Sequence, residues 1–80
     1  MDIDVARDIV RAAFRSCSEL QHLLSTLKGR CPPDEYQDYA RSIAAAIDAV
    51  GVSLTNKVLA EHHELSSEID ANIAKSGRYR

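Results

Sequence analysis

The sequence predicts an all-α protein, an antiparallel helical hairpin that pairs with a second copy into a homodimeric helical bundle. Two long segments repeat apolar residues at alternating spacings of three and four, which is the heptad period of packed helices. A connection rich in turn residues, "KGRCPPDE", separates the two segments. Aromatic residues make up only 5% of the chain, so the core must consist of Leu, Ile, Val and Ala, which suits closely packed helices.

The first helix is predicted over residues 3–28. Its apolar seam holds for more than three heptads and contains Ile3, Ala6, Val10, Ala13, Cys17, Leu20, Leu24 and Leu27. Further apolar residues widen this face beyond the seam of a two-stranded coiled coil, namely Val5, Ile9, Ala12, Phe14 and Leu23. Asp2 or Asp4 can cap the start of the helix, and Lys28 followed by Gly29 is typical of its end. A helix with so broad an apolar face belongs in a bundle.

The second helix is predicted to begin at Pro33, because proline is favoured at the first helical position. Asp34, Glu35 and Asp38 follow, and negative charge stabilises a helix N-terminus. Because the connection is short, the two helices should be antiparallel neighbours. The apolar seam of the second helix begins with Tyr36, Ala40, Ile43, Ile47, Val50 and Leu54.

This apolar pattern changes phase between Leu54 and Val58. If the seam continued unchanged, it would fall on charged residues, namely Lys57, Glu61, Glu64 and Glu68. We favour one continuous helix over 33–75, in which a four-residue stutter rotates the apolar stripe. The alternative is a break at 51–53, with Gly51 ending one helix and Ser53 capping a third, which gives a monomeric three-helix bundle.

A continuous second helix would extend beyond the reach of the first. A helix over 3–28 covers only residues 33 to about 58 of an antiparallel neighbour. Apolar residues further along would lack cover from their own chain, and exposed apolar stripes mark association surfaces. The candidate interface for a second copy, or for another protein partner, contains Val58, Leu59, Leu65, Ile69 and Ile73.

Size supports the same expectation. Eighty residues form a single domain, 1–80, in which 76–80 is predicted to be a frayed basic tail. A chain this short buries only about 60% of its unfolded surface, so it gains stability from a partner, a metal or disulfides. A disulfide is not expected, because Cys17 and Cys31 lie too far apart along the predicted first helix.

Charge and hydropathy argue against several classes of partner. Residues 32–74 carry eight acidic and two basic side chains, and an acidic middle disfavours wrapping around nucleic acid. No uninterrupted apolar run approaches about 18 residues, so we expect no membrane span. The N-terminus "MDIDVARD" is charged where a secretory signal has an apolar block. We therefore expect a cytoplasmic protein.

His62 and His63 are the most evident candidates for chemistry. Adjacent residues point about 100° apart on a helix, so the two rings cannot chelate one ion together. Metal-binding pairs on a helix lie three or four residues apart, and neither histidine has a ligand at that spacing. No metal site is predicted in one chain, although a dimer could bring histidines together.

Three arginines form a stripe along the first helix, Arg7, Arg11 and Arg15. Such a stripe could bind an anion or an acidic partner. Asp4 and Asp8 lie three residues before Arg7 and Arg11, so local ion pairs compete for these side chains.

We therefore expect a small non-enzymatic interaction or regulatory module, an adaptor or chaperone-like binder that acts through an apolar helix face. No catalytic residue, cofactor or metal ligand is predicted. Two alternatives remain. One is a metal-binding protein or small helical enzyme whose site forms between subunits. The other is a nucleic-acid-associated regulator that uses Arg7, Arg11, Arg15 and the basic tail.

Overall fold

The computed structural model describes residues 1–77, and over this range the chain forms three consecutive helices, as the all-α prediction requires. The second of them is built from three segments that continue into one another. We call the whole of it the central helix, Pro33–Glu61. The elements in order are α1 (Ile3–Leu27), α2 (Pro33–Val50), a π-helical turn (Gly51–Thr55), α3 (Asn56–Glu61) and α4 (Glu64–Ser76).

Helix α1 confirms the predicted bounds to within one residue at its C-terminal end. The carboxylate of Asp2 caps it by accepting a hydrogen bond from the Asp4 backbone N–H at 3.0 Å. After the helix, the Lys28 N–H still donates to the carbonyl of Leu24. Gly29 then has a φ of +120°, a conformation that favours glycine. The chain thus leaves α1 where the sequence predicts.

The central helix begins at Pro33, with Pro32 before it and Asp34 and Glu35 in its first turn. It lies antiparallel to α1. At one end of the pair the Met1 ammonium is 2.9 Å from Glu61, and further along Cys17 and Ile47 line one groove.

Gly51 does not break the central helix. The chain passes through residues 51–55 as a π-helical turn, in which the Asn56 N–H donates to the carbonyl of Gly51, five residues earlier. Gly51 itself has helical angles, φ −61° and ψ −48°. A π turn inserts one extra residue into an α-helix, and this insertion accounts for the phase shift between Leu54 and Val58. The alternative prediction is therefore right about three helices and wrong about the place of the break, 51–53.

The favoured prediction of one helix over 33–75 is also wrong. The central helix ends at Glu61, His62 leaves the helical region with φ −126° and ψ 67°, and α4 begins at Glu64. We call residues 62–63 the elbow. Helix α4 folds back against α1 and α3, because its apolar residues are buried there within the same chain.

The core lies in this half of the molecule. Its buried members come from α1, α3 and α4, and they are Ala6, Val10, Val58, Leu65 and Ile69. Half-buried apolar residues pack around them, namely Ile3, Ile9, Phe14 and Leu59. Outside this cluster, the buried side chains among the described residues are Ala13 and Ile43. The far half of the hairpin therefore has a much thinner core.

The molecule is elongated. Its principal extents are 45 × 25 × 15 Å and its radius of gyration is 14.7 Å, whereas a compact 80-residue domain has about 12 Å. Helix α4 has 13 residues and is about 20 Å long, while α1 has 25 residues and is about 38 Å long. Helix α4 therefore covers one face of the α1–central helix pair over only about half of its length.

Candidate interaction surface

The face of the hairpin opposite α4 carries no covering element among residues 1–77, and we call it the open face. On α1, Arg7 points toward α4, since it pairs with Glu68, and Val10, one turn further, shares the core cluster with Leu65 and Ile69 of α4. Each residue turns the helix by about 100°, so a second stripe points away from α4. That stripe of α1 contains Val5, Ile9, Ala12, Ser16, Leu20, Leu23 and Leu27.

The central helix contributes the other half of the open face. A groove of about 180 Å³ places Ile9 of α1 beside Leu54 and Val58 of the central helix. Within α2, α-helical spacing places Val50, Ala46 and Tyr39 on one face. We assign these three residues to the same stripe as Leu54, which follows Val50 within the π-helical turn. The open face is therefore a two-helix surface that follows the hairpin along its length.

The open face exposes large apolar side chains. The exposed fraction is 49% for Val5, 43% for Leu23, 50% for Tyr39 and 45% for Leu54. Seven large apolar residues are exposed within the described part of the chain, and these four lie on this one face. Single exposed apolar residues are ordinary on a protein surface, but a contiguous group of them marks an association site.

Charged residues border the apolar stripes of the open face, and two of them, Lys57 and Glu61, also line its groove. By helical spacing Glu19 borders the α1 stripe, and Glu35, Asp38 and Lys57 border the central-helix stripe. The rim is therefore mostly acidic around an apolar centre.

A second groove, of about 400 Å³, lies on the other face where α4 ends. Its lining is largely apolar, with Phe14, Cys17, Ile47 and Ile73. Hydroxyl and amide groups of Ser18, Gln21 and Thr55 also reach it. This groove marks the place where the third helix stops covering the hairpin.

The predicted dimer interface has a different role in the structure. Val58, Leu65 and Ile69 are buried in the chain's own core, and Leu59 packs half-buried against it. Ile73 is 40% exposed and lines the larger groove. The premise that these residues overhang the first helix is wrong, because the elbow returns α4 onto α1. A second copy could reach Leu65 only if α4 undocked.

His62 fastens the elbow to the N-terminus. Its Nε2 lies 2.8 Å from the carbonyl oxygen of Met1, and its Nδ1 lies 3.3 Å from a carboxylate oxygen of Glu64. The hydrogen bond from the Glu64 backbone N–H, and then the contact with His62, lower the pKa of the Glu64 carboxyl. Both ring nitrogens of His62 are thus engaged within the chain. Among residues 1–77, no group of three His, Cys, Asp or Glu side chains is arranged to hold a metal ion.

An ion pair supports the same junction. The Met1 ammonium donates to Glu61 at 2.9 Å. This hydrogen bond and charge pairing raise the pKa of the Met1 ammonium and lower the pKa of the Glu61 carboxyl. The start of α1 and the end of the central helix are therefore joined by charge as well as by packing.

The arginine stripe divides between two roles. The Nε of Arg7 lies 3.1 Å from both carboxylate oxygens of Glu68 on α4, and its Nη1 donates to Asp4 at 2.9 Å. Hydrogen bonding to Glu68, more than to Asp4, raises the pKa of Arg7. Arg11 lies 3.9 Å from Asp8. Arg15 is exposed. Arg7 therefore holds α4 in place and is not free to form a stripe with the other two.

Three further predictions concern the cysteines, the C-terminal tail and the absence of a membrane span. Both Cys17 and Cys31 are free thiols. Of the predicted tail 76–80, Ser76 ends α4 and Gly77 follows it with φ +78°, while residues 78–80 lie outside the described residues.

By length and composition alone, Pro33–Glu61 could cross a membrane, with a mean hydropathy of 1.4 in its best window. Only 11% of that window is buried, whereas the core helices of soluble proteins that pass the same test are mostly buried.

Comparison of this chain with protein-family models, with curated proteins and with solved structures finds no match. Its function is therefore inferred from its own surface. The open face was not predicted as a site, although the sequence does carry its signal. Val5, Ile9, Ala12 and Leu23 widen the apolar face of the first helix beyond one seam, and a helix that packs on two sides needs this second stripe.

Proposed function

We propose that this protein is a small non-enzymatic interaction module that docks apolar helices on its open face. The observation that carries the proposal is the exposure of Val5, Leu23, Tyr39 and Leu54. Each is about half exposed, and they are spaced along the side of the hairpin that α4 leaves uncovered. An amphipathic helix laid into a groove between two helices is a recurring mode of recognition.

The frame behind this face suits docking. The core cluster, the Arg7–Glu68 pair and the His62 contacts hold α4 on the opposite side, so an incoming helix meets a surface whose backbone is already ordered. Binding then loses little conformational entropy on the side of the module. Covering the exposed halves of the four large side chains contributes about 3–6 kcal/mol before the cost of association.

The proposal also gives the shifted ionisable groups a structural role. Met1, Glu61, Glu64 and Arg7 have shifted pKa values, and each is a partner in the contacts that join α1 to the elbow and to α4. These charges act in holding the frame together.

The test is binding of a defined probe, a fluorescein-labelled amphipathic helical peptide of Leu and Lys, about 18 residues long. Its leucines match the apolar centre and its lysines match the acidic rim. Leu23→Ser and Leu54→Ser remove apolar contact without adding charge. Val52→Ser is the matched control, because Val52 is 60% exposed and points away from the open face by helical spacing.

Fluorescence anisotropy should show that the Leu23→Ser, Leu54→Ser double variant binds the peptide at least about tenfold more weakly, which is about 1.4 kcal/mol. Val52→Ser should bind as the unmodified protein does. Far-UV circular dichroism establishes that each variant is folded. Equal affinities for all three proteins would exclude the open face as the docking site.

A further inference from the structure

We infer that the occupant of the open face is a second copy of this chain, docked face to face about a two-fold axis. The inference rests on the proposed function and names the partner of the same surface. In the dimer, α1 and the central helix of each copy form a four-helix arrangement around a shared apolar centre. Helix α4 of each copy lies on the outside, where its own core already holds it.

The surface area supports a partner of this size. The chain exposes 5680 Å², whereas a compact monomer of 8.8 kDa exposes about 4800 Å². The excess of about 900 Å² is close to the roughly 800 Å² that each partner buries in a standard protein interface. An interface of that size on each chain would bring the exposed area per chain close to the ordinary value.

The thin core points the same way. Across residues 14–57, Ile43 is the one buried side chain, while Leu20 and Leu27 of the open-face stripe are only half-buried. Two helices alone cannot enclose a seam between them. A second hairpin laid across the open face supplies the missing side, and an isologous contact lets each copy complete the other.

The charge pattern permits a copy of the same chain, with weak repulsion between the rims. The two apolar stripes of the open face contain no charged residue, so two such stripes meet without burying an unpaired charge. Of the charged residues that line the groove, Lys57 and Glu61, Glu61 keeps the Met1 ammonium as its partner. The rim residues Glu19, Glu35 and Asp38 are acidic and disfavour an anionic lipid surface. In a symmetric dimer these rims repel weakly, and Lys57 offsets only part of the repulsion. Added salt should therefore strengthen the dimer, since screening removes repulsion between exposed charges.

Sedimentation equilibrium of the full chain tests the inference. Across about 1–200 µM protein, the mass should rise from 8.8 kDa to twice that value, with a midpoint in the micromolar range. Raising the salt from about 0.05 to 0.5 M should lower the dissociation constant by several fold. The Leu23→Ser, Leu54→Ser double variant should stay monomeric and folded over the same range, and Val52→Ser should dimerise normally.

The outcomes separate this inference from the proposed function. If the protein is monomeric at all concentrations and still binds the Leu–Lys peptide through Leu54, the dimer inference is refuted and the proposed docking function stands. A monomer that binds neither peptide nor copy overturns both. A dimer that persists in the double variant places self-association on another surface and refutes the inference. If the monomeric protein binds neutral phosphatidylcholine vesicles through Leu54, lipid occupies the open face and the dimer inference is refuted.

Discussion

Replacing Leu65 by alanine tests whether α4 is docked as the structure describes. Leu65 is 1% exposed at the centre of the core cluster, so its side chain cannot be shortened without loss of packing. Buried Leu→Ala changes cost about 2–5 kcal/mol, depending on how far the neighbours relax into the cavity. The molecule is only 15 Å thick in its narrow direction, which allows some relaxation, and we expect about 3 kcal/mol.

A loss of this size is large for so small a protein. Eighty residues have a total stability of roughly 4–12 kcal/mol, and 3 kcal/mol lowers Tm by about 12–24 °C in a domain of this length. The measurement is urea unfolding followed by far-UV circular dichroism, at a protein concentration low enough to keep the chain monomeric.

The matched control is Ile73→Ala, in the same helix but 40% exposed. It should cost about 1 kcal/mol, because only part of its side chain leaves water on folding. If Leu65→Ala and Ile73→Ala cost the same small amount in the monomer, α4 is not packed on α1. One continuous helix over 33–75, with both residues in the overhang, would then be the better description.

Two further predictions concern the glycines and the N-terminal ion pair. Gly51→Ala should stabilise the protein by up to about 1 kcal/mol, since Gly51 is helical with free space around an added Cβ. Gly29→Ala should destabilise it by about 1–3 kcal/mol, because its φ of +120° strains any other residue; thermal melts that rank the two variants the other way would contradict this. The pKa of Glu61 is lowered from 4.5, so its contribution to stability is present above that pH and is lost as pH falls through the lowered value. The pKa of the Met1 ammonium is raised from 8.0, so its contribution is complete below pH 8 and is lost as pH rises through the raised value. The Tm difference between the unmodified protein and Glu61→Gln should therefore be largest between about pH 5 and 8 and shrink on either side; a difference that does not vary with pH would show that the ion pair does not form.

The sequence predicts local structure well where local chemistry decides it. The capping aspartate, the heptad seam and Gly29 give α1 its bounds, and the proline and acidic residues after it give the start of the central helix. In both cases the signal lies within one or two turns of the residue that it places.

The elbow at His62 and His63 could not be predicted in the same way. Neither residue is a helix breaker, and no proline or left-handed glycine stands there. The central helix ends because Leu65 and Ile69 gain more from burial against Ala6 and Val10 than residues 62–63 lose in helical hydrogen bonds. The residues whose burial decides where the helix ends lie far apart in the sequence, so no short window of sequence contains this information.

The candidate surface was missed for a related reason. In the sequence, the phase shift after Leu54 indicates a second helix that extends beyond the first. That interpretation assigns the uncovered apolar surface to the C-terminal residues. In the structure Val58, Leu65 and Ile69 are buried, and Ile73 is 40% exposed. The uncovered surface on the other side is the second stripe of α1 together with Tyr39 and Leu54. The sequence predicts an excess of apolar surface. The location of that surface depends on the side of the hairpin against which α4 packs.

The π-helical turn at 51–55 makes the central helix tolerant of the removal of one amino acid at this place. Because the turn accommodates one extra residue, deleting a single residue within it would leave a regular α-helix with no gap in its backbone hydrogen bonds. Val58 would then follow Leu54 at the heptad spacing and keep its place in the core. The same deletion within a regular helix such as α1 would instead rotate the residues after it by about 100° about the helix axis.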